Sequence, residues 1–108
     1  MMPSEIVKGL QELTAMTRKG VEALYEAEID LAEAERALDK SEAQAFLEAQ
    51  GTVADRQALA KLESADFRFT RDVCRAKVNR VKTKLRGLES EIMAHGTMSK
   101  IMQAEMKL

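Results

Sequence analysis

The pair Gly51-Thr52, at the centre of the run "AQGTVADR", restricts this chain more than any other feature. Between Ser4 and Ala49 there is no proline, and the only glycines are Gly9 and Gly20. Between Val53 and Ala94 there is again no proline, and Gly87 is the only glycine. Two long stretches of helix formers therefore flank one point of interruption. Glycine has no Cβ and tolerates the left-handed conformation that ends a helix. Threonine suits the N-cap of the next one, and Asp55, three residues on, supplies a weaker form of the capping box. The expected shape is a helix over about 4–49, a turn at 50–52 and a second helix over about 53–95. Each arm is then roughly 45 residues, or ~65 Å at 1.5 Å per residue. A single uninterrupted helix would have no use for this pair.

Periodicity supports the fold-back. Leu10, Thr17, Leu24, Leu31, Leu38 and Ala45 recur every seven residues, interleaved with Ile6, Leu13, Gly20, Ala27, Ala34 and Ser41. This is a coiled-coil-like seam, and its second series is small from Gly20 onward, which invites close approach. Helix 2 repeats as Val53, Ala60, Phe67, Cys74, Val81 and Leu88, joined by Val78, Leu85 and Ile92. The fold class is all-α: a long antiparallel two-helix hairpin forming one domain over 1–108. In that register Ile6 falls near His95. The run Ala94-His95-Gly96-Thr97 echoes Ala49-Gln50-Gly51-Thr52. It predicts a break, followed by a short helical tail over 97–108 bearing Met98, Ile101, Met102, Met106 and Leu108. Lys100 stands where a capping acid belongs, so continuation of helix 2 through this point is the alternative.

A lone hairpin buries one face of each helix, and small chains struggle to bury enough surface. A second set of apolar positions answers that need. Tyr25, Ile29, Ala32, Ala43 and Leu47 lie away from the helix 1 seam, with Arg36 among them. Leu59, Leu62, Phe69, Val73 and Ala76 do the same on helix 2, interrupted by Asp66. Residues at this spacing share one face of a helix. Tyr25, Ile29, Leu47, Leu59, Leu62, Phe69 and Val73 are therefore the expected self-association residues, joining two hairpins as a homodimer in a four-helix bundle.

The chain is 32% charged with a formal net charge of −1, and the charge is segregated. Glu22–Glu42 holds eight acids and two bases, whereas Arg68–Arg86 holds eight bases and one acid. Arg68, Arg71, Arg75, Lys82 and Arg86 form a stripe that could track phosphates or an acidic partner. The hairpin also lays them beside Glu28, Glu35 and Glu42, and pairing there is the preferred expectation. The aromatic residues that stacking on single strands requires are nearly absent.

Chemistry is sparse. His95 is the sole histidine and Cys74 the sole cysteine, so metal-ligand clusters and a disulfide framework have no material. His95 is expected as a cap or surface group and Cys74 as core. No phosphate-binding glycine loop or nucleophile–base pair stands out. No enzymatic activity, cofactor or metal is expected. No run approaches the ~20 apolar residues of a membrane span, and "MMPSEIVKGL" lacks a signal-peptide apolar core. A cytoplasmic protein without membrane association is the expectation.

The run "AFLEAQGTVADRQALA" (Ala45 to Ala60) and the ending "MQAEMKL" (Met102 to Leu108) resemble short helical-hairpin proteins of unknown function encoded by tailed bacteriophages. The size also resembles WXG100-type secretion substrates, but their turn carries Trp-x-Gly, and this chain has Gln50-Gly51-Thr52 and no Trp. The phage resemblance covers about two-thirds of the sequence. It implies an accessory role near recombination and replication functions in the host cytoplasm, and it brings no catalytic residues. The leading expectation is a protein–protein interaction module, an adaptor or inhibitor of a recombination, replication or host protein. A nucleic-acid-binding accessory using the basic stripe comes second, and a structural coiled-coil spacer third.

Overall fold

The computed structural model describes residues 3–106. They form α1 (Pro3–Glu48), α2 (Val53–Glu63) and α3 (Ala65–Met106), with no strand among the described residues. Lys107 and Leu108, the last residues of the expected tail, lie outside them. Pro3 opens α1, a position where its missing N–H is not needed.

The turn follows the local chemistry of its residues. Gly51 has φ +113°, the one positive φ among the described residues. Thr52 is extended, its side chain accepts the Asp55 N–H at 3.1 Å, and Asp55 Oδ2 accepts the Thr52 N–H at 3.4 Å. The box is complete. A further clamp has no counterpart in the capping pattern. Arg56 donates from Nε and Nη2 to the Phe46 carbonyl at 3.1 and 3.0 Å, and its guanidinium lies 4.3 Å from the centroid of the Phe46 ring. The last carbonyls of a helix have no partner within it. The first turn of α2 thus satisfies the end of α1.

The chain divides into two compact units, Tyr25–Asn79 and Met1–Leu24 with Arg80–Leu108. In the first, Ala34, Leu38, Ala45, Ala60 and Val78 are buried, and Ala27, Leu31, Ser41 and Cys74 are half-buried. The seam is built largely of small side chains, as the helix 1 pattern predicts. Its most buried member is one that the heptad pattern passes over. Ser64 is 0% exposed and marks a break between α2 and α3, where a single helix over 53–95 was expected. Its Oγ donates to the Ala60 carbonyl at 2.7 Å, a back-bond that bends helices. Arg68 takes up the groups that the bend loosens, donating from Nη1 to the Lys61 carbonyl at 3.3 Å and from Nη2 to Ser64 Oγ at 3.1 Å. Val53 and Phe67, expected in the seam, are instead exposed, at 61% and 44%. With Ala60 and Ser64 setting a close approach, the Phe67 ring has no room between the helices and sits at the rim beside Ala37, Ser41 and Ala45.

In the second unit Ile6, Leu13 and Leu88 are buried, and Leu10, Thr17, Gly20, Val81, Leu85 and Ile92 are half-buried. A Cβ on Gly20 would lie 2.6 Å from Leu85 Cδ2, so this glycine lets Leu85 rest directly on the α1 backbone. Gly9 receives the His95 ring in the same way, its virtual Cβ 2.9 Å from Nε2. The register therefore differs by about one turn from the expected one: His95 packs on Gly9, while Ile6 shares a groove with Ser99 and Met102. α3 also runs without a break through 94–97 to Met106. Thr97 does not cap a new helix; its hydroxyl donates to the Met93 carbonyl at 3.1 Å. The first turns of α1 give this end of α3 a surface to pack on, and that packing outweighs the local stop signal.

Candidate interaction surfaces

The seven expected self-association residues all lie in the Tyr25–Asn79 unit with their side chains exposed. Tyr25, Leu47, Leu62 and Phe69 are 66–75% exposed, and Ile29, Leu59 and Val73 are near 40%. The burial pattern explains why. On α1 the buried and half-buried positions Ala27, Leu31, Ala34 and Leu38 face α3, which leaves Ile29, Ala32 and Arg36 on the outside. On α2 and α3 the inward set is Ala60, Ser64, Cys74 and Val78, which leaves Leu59, Leu62, Asp66, Phe69, Val73 and Ala76 outside. Each stripe points away from the partner helix, so the two stripes face opposite directions. An apolar groove adjoins the first of them, lined by Ala43, Phe46, Leu47, Gln57 and Ala60, with Asp39 and Glu42 at its edge.

The basic residues divide by partner. Arg68 Nη2 lies 3.9 Å from Glu42, and Arg75 Nη2 lies 3.7 Å from Glu35. Arg71 instead bonds its neighbour Asp72 at 2.9 Å. Among the described residues, Lys82, Arg86 and Glu28 take part in no ion pair. The two pairs across the seam are long and half exposed, a class worth about 0–1 kcal/mol each. Arg68 has the most embedded role, because it also holds the break at Ser64.

Cys74 is half-buried in the seam as a free thiol. His95, expected as a cap or surface group, is half-buried against Gly9, and its Nδ1 donates to the Glu91 carbonyl at 2.9 Å. Among the described residues no cluster of His, Cys, Asp or Glu is placed to hold a metal ion, and no helix is long and apolar enough to cross a membrane. Sequence reasoning missed three groups: Ser64, the Arg56–Phe46 clamp and the groove beside Leu47. A signal existed for Ser64, which falls four residues after Ala60 in a 3-4 alternation. No family model, curated protein or solved structure matches the chain.

Proposed function

We propose that this chain is a non-enzymatic protein-interaction module that self-associates through the Tyr25–Asn79 unit, bringing the two helical arms of each of two copies together in a homodimer. One observation carries the reading: two regular apolar stripes stand exposed where a hairpin acting alone would place polar residues. The resemblance to phage hairpin proteins supports an accessory role in the host cytoplasm, as an adaptor or inhibitor of a recombination, replication or host protein. Sedimentation equilibrium tests the self-association. The wild-type mass should rise with concentration above that of the monomer, and Phe69→Glu or Ile29→Glu should lower it without loss of helicity. A concentration-independent monomer would end the self-association reading.

A second reading rests on Lys82 and Arg86, which have no acidic partner among the described residues. They lie within the +7 run of Arg68–Arg86 and could grip phosphates. Binding of this kind weakens steeply with salt, because each phosphate contact releases counterions. Sub-micromolar, salt-sensitive binding of DNA or RNA by the wild type, lost in Lys82→Glu with Arg86→Glu, would place this reading first. The −6 run of Glu22–Glu42 would repel the same phosphates, which is why it stands second.

A further inference from the structure

The self-association proposed above leaves open which surfaces meet. Three observations in the Tyr25–Asn79 unit bear on it. The stripe on α1 and the stripe on α2 and α3 face opposite directions. A closed two-fold dimer needs one self-complementary patch. A single rigid neighbour cannot cover both stripes at once, so a closed bundle would leave one of them bare.

The second observation is their matching order. Read outward from the turn, the α1 stripe runs Leu47, Ala43, Arg36, Ala32, Ile29, Tyr25. The other runs Leu59, Leu62, Asp66, Phe69, Val73, Ala76. Each has two apolar residues, one charge and three apolar residues; beyond the charge the spacing matches, Arg36 to Tyr25 spanning 11 residues and Asp66 to Ala76 10, while on the turn side α1 has an extra turn bearing Asp39 and Lys40. Laid antiparallel with Arg36 opposite Asp66, Ala32 meets Phe69 and Tyr25 meets Ala76. Small faces large at each of these, as interdigitating packing requires. At the third position Arg36 meets Asp66, and neither forms an ion pair within its own chain among the described residues.

The third observation is charge. The part of α1 in this unit carries eight acids and two bases, whereas the part of α3 in it carries four bases and two acids. Pairing α1 with α1, or α3 with α3, sets like charge against like. Pairing α1 with α3 does not.

From these we infer that the partner of each stripe is the other stripe on a second copy: the outer face of α1 docks antiparallel on the outer face of α2 and α3 of its neighbour. Such a contact joins two different patches and leaves one of each kind open at the ends. A pair of copies is then the first product, and rows of hairpins follow at higher concentration unless the rotation closes a ring.

A mixing experiment on the full chain tests this, with mass read by sedimentation equilibrium and helicity by circular dichroism. The wild type should grow beyond the dimer as concentration rises. Ile29→Glu blocks only the α1 face and Phe69→Glu only the α3 face, so each alone should remain a helical monomer. Mixed, they should form a 1:1 heterodimer that stops growing, since one good face of each kind remains. In the wild-type background Arg36→Asp should reduce association at least tenfold, and adding Asp66→Arg should restore most of it. A wild type that associates but stops at a dimer, with no pairing in the mixture, overturns the α1-on-α3 arrangement and leaves self-association standing. Dimerisation of either single variant by itself overturns it equally. A wild type that stays monomeric at every concentration overturns the self-association reading as well.

Discussion

Replacing Gly20 by alanine measures how closely the two helices meet. Two effects oppose each other. In a helix interior alanine is favoured over glycine by about 0.8–1.0 kcal/mol. Against this, the new methyl would sit 2.6 Å from Leu85 Cδ2, well inside contact distance. Overpacking of this kind costs about 1–3 kcal/mol. Leu85 is half-buried and the crowded atom is the end of its side chain, so it can swing aside, which favours the lower half of that range. The two effects leave Gly20→Ala between no change and a loss of about 1 kcal/mol. Gly87 supplies the control. It is exposed in the interior of α3, and a Cβ there meets nothing within 4 Å, so Gly87→Ala should gain the full ~1 kcal/mol. For a domain of this size that is a rise in Tm of about 4 °C. Thermal melts should therefore place Gly20→Ala roughly 4–8 °C below Gly87→Ala. In a Leu85→Ala background the gap should close, because the obstructing methyl is gone. Equal stabilisation by both substitutions in the wild-type background would show that Leu85 does not pack on Gly20, and the register of this unit would be wrong.

Other expectations concern the turn and the break. Thr52→Ala removes half of the capping box and should cost about 0.5–2 kcal/mol in a urea melt; Gly51→Val should cost more, because valine resists φ +113°. Arg56→Ala loses two charge-assisted hydrogen bonds and a cation–π contact, about 1–3 kcal/mol in total after solvent replaces part of them. Phe46→Leu keeps the accepting carbonyl, so a double-mutant cycle of the two should return a coupling of only about 0.5–1 kcal/mol, the share of the ring. Arg68→Ala should destabilise more than Arg75→Ala, since Arg68 also holds the Lys61 carbonyl and Ser64; equal losses would reduce both to surface ion pairs.

The elements that could be read from sequence are those specified by neighbouring residues. Gly51, Thr52 and Asp55 interact within four positions, so the turn and its box follow from residue type alone. The helix 1 seam follows from a regular repeat, and every one of its twelve positions is buried or half-buried. What escaped depends on residues far apart in the chain. Gly96-Thr97 repeats Gly51-Thr52 with Lys100 in place of the capping acid, and α3 continues through it, because α1 supplies packing that these residues do not encode. Phe67 fits the repeat but not the gap that Ala60 and Ser64 leave. Arg56 reaching across to Phe46 has no periodicity at all. The exposed stripes were legible as patterns, but their opposed directions emerge only once the inward positions of both helices are fixed.

The break at Ser64 has a consequence for how the molecule opens. It leaves α2 with 11 residues, capped by Thr52 at one end and by Ser64 at the other. Isolated helices of that length are marginal in water. Local openings of a native protein occur in cooperative segments whose limits follow its weakest joints. Amide exchange should therefore divide at residue 64: the α2 amides should exchange together, ahead of those on the α3 side beyond Arg68. The segment released in such an opening, Val53–Glu63, includes both Leu59 and Leu62. Any partner that grips these two leucines would slow exchange across all of α2, and the turn would then report occupancy of a surface it does not itself form.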